Sequence, residues 1–259
     1  MKINKKLLIP AAALLAAGGI GIAALTGGSP KGLPDEIYDS TVSGIRDSGI
    51  TVTAYQSPVD FESLRDVNGD IYAWLDVPGA DISYPVVQSS YDDSYYLDHT
   101  SEKEYSYQGA LFTEHMYNTK SFDDPVTIIY GHNLLNGRFF GNMQSFYSSA
   151  DNFRSSDEMM IYLPEKELTY KLFATVIFDN RHILYTTDFT DENAFRYFFS
   201  AVSASKDLGN NIDRESFPEY GDRVLILSTC LNGDRSRRFL VMGKLISESD
   251  HFIINNKEQ

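Results

Sequence analysis

The sequence is short of sulfur, of indole and of positive charge. Its 259 residues contain one cysteine, Cys230, and one tryptophan, Trp74. A single cysteine excludes an internal disulfide. Lysine and arginine number 22 against 36 aspartates and glutamates, a formal net charge of −14. Such a chain lacks the concentration of cations that sequence-independent binding to nucleic acid requires, so no nucleic-acid partner is expected. Internal repeats and low-complexity tracts are missing. None of the five histidines, at 99, 115, 132, 182 and 251, has a partner at the i, i+4 spacing of a helical zinc site, so neither a metal nor another cofactor is expected.

What is present suits a buried core, since 42% of the residues are apolar and the acidity reads as a solvated surface. Lys2, Lys5 and Lys6 precede an apolar run from Leu7 to Leu25. Its nineteen residues, at about 1.5 Å each, match the thickness of a bilayer core. The lysines put the N-terminus in the cytoplasm and the remainder outside the cell membrane. The competing reading is a cleaved signal peptide, whose apolar core is usually about 7 to 15 residues. Residues 1–26 are therefore expected to be a single-pass anchor. Residues 27–60, rich in Gly and Pro with one short helix between Asp35 and Asp47, read as a juxtamembrane stalk, and residues 61–259 as the main folded domain.

Within that domain Phe61–Val67 reads as a short helix stopped by Asn68-Gly69. Strands are expected at 71–77, at 82–87 with Pro85 marking an edge or bulge, at 110–113 and at 126–130, with a hairpin of 159–163 and 168–178. A helix follows, with Thr190 as its N-cap, Phe195, Phe198, Phe199 and Val202 on one face, and Gly209 as its end. Many short strands with one inserted helix indicate a barrel or sandwich.

Val224–Leu245 then reads as two neighbouring strands joined by an Asn-Gly-Asp turn, which places Cys230 at the mouth of a strand. A lone thiol is commonly a small buried hydrophobe. Here it ends a strand, and Arg235, Arg237 and Arg238 lie just beyond it. Upstream, His132 follows another strand and a glycine. A nucleophilic thiolate needs a proton donor for the leaving group and a fixed donor at the developing oxyanion. Cys230, His132 and an arginine of this cluster supply those three groups, and Arg238 opens the apolar run Phe239-Leu240-Val241.

The segments Ile-Ile-Tyr-Gly-His-Asn ending at Asn133, Leu-Ser-Thr-Cys ending at Cys230, and Arg-Phe-Leu-Val beginning at Arg238 together resemble a sortase, a membrane-anchored cysteine transpeptidase of Gram-positive bacteria. Ile71-Tyr-Ala-Trp-Leu75, Ile82-Ser-Tyr-Pro-Val-Val-Gln88, Tyr95-Tyr-Leu97 and Asn136-Gly-Arg-Phe-Phe140, with the helix before the cysteine strand, resemble class B in particular. The resemblance spans roughly residues 61–247. It implies a mostly β, eight-stranded sortase barrel with Cys230, His132 and Arg238 as the catalytic trio; the eight-residue separation of Cys230 and Arg238 leaves Arg237 as a substitute. It further implies that Ser228 helps bind substrate or oxyanion and that Tyr185 lines the peptide groove.

The partners implied by the resemblance are secreted proteins with a C-terminal sorting signal, cleaved at a Thr carbonyl, and an amino group of a peptidoglycan precursor or cross-bridge. A cysteine endopeptidase that releases its product to water, and a non-catalytic surface binding module that retains the barrel, are the alternatives.

Overall fold

The apolar runs pair edge to edge and close on themselves. The computed structural model describes residues 50–53, 57–249 and 253–256, with side chains for 57–249. Strand β1 (Ile50–Thr53) belongs to a two-stranded antiparallel sheet with Ile253–Asn256. Residues Gln56–Ser249 form a separate compact unit. The expected anchor and the helix between Asp35 and Asp47 lie outside the described residues. Among the described residues no helix is long and apolar enough to cross a membrane.

The compact unit begins with helix α1 (Phe61–Val67), whose N-cap Asp60 accepts from the Ser63 amide at 3.0 Å and which ends at Asn68. Strands β2 (Ile71–Val77), β3 (Ile82–Val87), β4 (Leu111–Phe112) and β5 (Val126–Tyr130) come next. Two short helices, α2 (Met143–Tyr147) and α3 (Ala150–Ser155), lead into the expected hairpin of β6 (Glu158–Tyr162) and β7 (Glu167–Asp179). After α4 (Ile183–Thr186), α5 (Glu192–Ala204) and β8 (Asn211–Ile212), strands β9 (Val224–Leu231) and β10 (Asp234–Ser249) complete the unit.

The strand order is β10-β9-β5-β4-β3-β2-β6-β7, and β7 pairs back onto β10. That ring is a closed barrel of eight strands, with β8 added on the outer edge of β7. Closure pairs every strand of the ring on both sides over part of its length, which limits the edge open to another chain. Pro85 lies opposite Trp74 of β2, at a level of β3 that β4 does not reach, because β4 pairs only with Val86 and Val87. The missing amide hydrogen is tolerated where one flank of the strand is unpaired.

Strand β9 is apolar almost throughout because both of its faces are buried, as expected for a strand covered on two sides. Leu225, Leu227 and Leu231 join Ile129, Phe239 and Val241 in the barrel interior. Val224 and Ile226 face outward with Val126, Ile128, Leu240 and Met242, under Phe195, Phe198, Phe199 and Val202 of α5. Burying such side chains stabilises by roughly 1.5–3 kcal/mol each.

The ends of α5 differ from the sequence expectation. Asp191, not Thr190, is the N-cap and accepts from the Ala194 amide at 2.8 Å, because the Thr190 hydroxyl is engaged at 2.6 Å with Asp188. The helix stops at Ala204, before Gly209, where Ser205 adopts extended backbone and its hydroxyl accepts from the Asn210 side chain at 2.7 Å. Phe199, 3% exposed, touches Phe173, Phe189 and Phe195. Phe199→Ala is expected to lower stability by about 3–5 kcal/mol in denaturant unfolding.

Candidate active site

Two β-ladders place the three residues singled out in the sequence. Strands β5 and β9 pair in parallel with Tyr130 opposite Ser228, and the Gly131 amide extends the ladder by donating to the Ser228 carbonyl at 3.2 Å. Two places further along the chain come His132, just past the end of β5, and Cys230, still within β9. Parallel neighbours lie about 4.8 Å apart. On the other side of β9, Arg238 of β10 stands directly opposite Cys230. Residues opposed across a ladder share a face. Arg238, Cys230 and His132 therefore form one row on the outer face of the barrel, beyond the part that α5 covers.

Local contacts hold this row. Gly131 is required by close approach, since a Cβ there would stand 2.4 Å from the Leu111 side chain and 2.8 Å from the Phe140 ring. The Thr229 hydroxyl donates to the Gly131 carbonyl at 2.7 Å, and the Asn133 side chain donates to the Cys230 carbonyl at 2.9 Å. The histidine and cysteine loops are thus tied together on both sides of the row. His132 Nε2 donates to the Leu97 carbonyl at 2.7 Å, which leaves Nδ1 without the ring proton in the neutral imidazole.

The β9–β10 turn is closed at Leu231 and Asp234, with Gly233 at φ +80°, and the register then shifts before Arg238. This irregularity sorts the arginines. The Arg238 guanidinium donates to the carbonyls of Arg235 and Arg237 at 2.9 and 3.2 Å. Arg237 instead pairs with Asp207 and Asp234 at 3.4 and 3.5 Å. Arg238 lines the cleft and Arg237 does not.

The cleft has a volume of about 310 Å³ and brings together Cys230, His132, Arg238 and Ser228. Its apolar side is formed by Leu97, Phe112, Tyr130 and Ile183, with the Phe112 and Tyr130 rings stacked at 5.5 Å. Cys230 is half-buried, and Ser228 is buried in the wall. Tyr185 is not brought into the lining: it sits on α4, 76% exposed, with its ring 6.4 Å from that of His182. Among the described residues no group of three or more His, Cys, Asp and Glu side chains is arranged to hold a metal ion.

The far end of the cleft carries groups that the sequence did not mark, Asp93, Glu114 and His182. Burial raises the Glu114 carboxyl above the ordinary carboxylate range, and His182 partly offsets this. Burial and the neighbouring Glu114 also raise the Tyr130 hydroxyl, so it stays protonated. No spacing rule joins Glu114 to His182, which lie 68 residues apart. Asn133 and Thr229 were in view as members of the segments around His132 and Cys230, but their bonds to the opposite loop become apparent only in the tertiary structure.

Known proteins of the same character share this architecture. Sortase B of Listeria monocytogenes is 28% identical over 194 residues, 73% of this chain and 75% of the relative. This likeness supports a class B sortase. Sortase B of Staphylococcus aureus is 26% identical over 196 residues, with the same coverage. The solved Clostridium perfringens sortase B is 26% identical, with a TM-score of 0.60 over 73% of this chain and 100% of that one. No protein-family model matches the chain. The closed barrel and the helix before the cysteine strand accord with the sortase fold expected from the sequence.

The tie between the histidine and cysteine loops is testable. Thr229→Val keeps the side-chain shape and leaves the Gly131 carbonyl without its hydroxyl partner, so stability is expected to fall by about 1–3 kcal/mol in urea unfolding.

Proposed function

We propose that the chain is a transpeptidase that cleaves a C-terminal sorting signal of secreted proteins at a Thr carbonyl and transfers the acyl group to an amino group of the cell wall. The observation that carries the proposal is the single row of Arg238, Cys230 and His132 set by the two ladders. The Cys230 thiol passes its proton to His132 as the sulfur attacks the carbonyl carbon, and Arg238 donates to the oxyanion that develops. His132 gives a proton to the departing amine as the C–N bond breaks, which leaves a thioacyl enzyme. An incoming amine then attacks the thioester and passes a proton back to His132, and the thiolate leaves.

The wall of Leu97, Phe112 and Ile183 beside the thiol keeps water from much of the thioester. Ser228, buried in that wall, is proposed to bind substrate or oxyanion, and Tyr185 to meet the peptide outside the cleft as it arrives. Solved relatives support the two-substrate reading: one is a Staphylococcus aureus sortase B–substrate complex, another a sortase B complexed with triglycine. Residues 1–26 are proposed to anchor the chain in the cell membrane, with the barrel on the outer face.

Cys230→Ala is expected to abolish cleavage of a sorting peptide, and residual turnover would end the proposal. Product analysis with and without an amine acceptor separates transfer from simple hydrolysis, since an endopeptidase yields the free acid in both. Failure of Cys230 to react with a thiol-reactive peptide mimic favours the non-catalytic binding module. Arg238→Ala is expected to lower cleavage by about 10²–10³-fold, the effect of losing an oxyanion donor. Arg237→Ala, which removes exposed ion pairs, should leave it within about threefold.

A further inference from the structure

Helix α4 supplies Ile183 to the cleft, yet it is one turn long and too short to hold its own geometry. Ile183 and Leu184 pack into the apolar cluster under α5, and the polar anchor of the turn is His182. The Tyr185 amide donates to His182 Nδ1 at 3.1 Å, so Nδ1 is an acceptor and the proton of the neutral ring is on Nε2. Nε2 in turn donates to Glu114 Oε1 at 2.9 Å. The other carboxylate oxygen is buried without a well-aligned donor, the Tyr130 hydroxyl being its neighbour.

Glu114 itself stands on a rigid footing. The adjacent Thr113 hydroxyl lies 2.7 Å from the Tyr72 hydroxyl and accepts from the Gln88 side chain at 3.0 Å, and the Asn118 amide donates to the Glu114 carbonyl at 2.9 Å. One imidazole thus links a carboxylate fixed on the barrel to the first turn of a helix that has no second turn to steady it.

We propose that His182 is a positioning residue: by bridging Glu114 to the Tyr185 amide, it pins Ile183–Thr186 against the barrel wall and sets the width of the peptide cleft at Ile183. The inference rests on the transpeptidase reading for its substrate, but not for the bridge itself. The test uses the purified full-length chain and a sorting peptide that the wild type cleaves. His182→Ala and Glu114→Ala are each expected to raise the KM for that peptide about fivefold or more, with the loss falling on KM rather than on kcat. The double variant should be no worse than the more impaired single variant, because both remove one bridge.

An unchanged KM, effects that multiply, or a loss confined to kcat overturns the proposal. Where Glu114→Ala fails to fold, His182→Asn decides: asparagine keeps a cap acceptor and should recover part of the KM lost in His182→Ala, whereas equal KM values overturn the positioning role. Hydrogen exchange at the Tyr185 amide reads the bridge without turnover and should quicken in His182→Ala. A wild-type chain that cleaves no peptide yet shows this quickening fails the functional reading alone, and unchanged exchange fails the bridge.

Discussion

The parallel ladder between β5 and β9 is the constraint on which the rest of the structure depends. It sets Tyr130 against Ser228 and, by continuing two places, sets His132 beside Cys230. Side chains alternate faces along a strand, so a slip of one residue would turn the thiol into the barrel interior and bring Thr229 outward. The apolar residues resist such a slip. Leu225 and Leu227 fill the interior while Val224 and Ile226 fill the space under α5, and a shift would cost both sets their burial.

The same two-sided burial explains where the cleft lies. The outer face of β9 and β5 is covered by the phenylalanines of α5 over Val126, Ile128, Val224 and Ile226, and the covering helix does not extend over Ser228 and Cys230. The packed end fixes the strands, and the uncovered end inherits their register. The catalytic role proposed for the row needs that stiffness, because errors of about 1 Å in placement weaken catalysis sharply. The bonds from Thr229 to Gly131 and from Asn133 to Cys230 carry it past the last ladder pairs.

On the opposite flank, the choice among arginines follows from alternation and charge. Arg238 shares the face of Cys230, while Arg237 is engaged by Asp207 and Asp234. A net charge of −14 does not leave the cleft uniformly acidic. Arg238 and Arg181 line it together with Glu114 and Asp93, and Glu114 is held by His182. The cleft thus carries charges of both signs.

Periodicity and punctuation made most of the strands legible before any coordinates. Two-sided apolar runs, Pro164 in the β6–β7 hairpin and the Asn232-Gly233 turn are local signals, and the class B resemblance joined them into one barrel. Helix ends were less legible, because the Thr190 hydroxyl was claimed by Asp188, a competition that spacing does not rank. Cys230 stood out because it ends a strand, and His132 because it follows one. The preference for Arg238 over Arg237 in the cleft, the placement of Tyr185 outside its lining and the Glu114–His182 bridge were decided by the tertiary structure. A sequence specifies which residues alternate along each strand; only closure of the barrel specifies which of them meet, since register across strands is fixed by burying both faces at once.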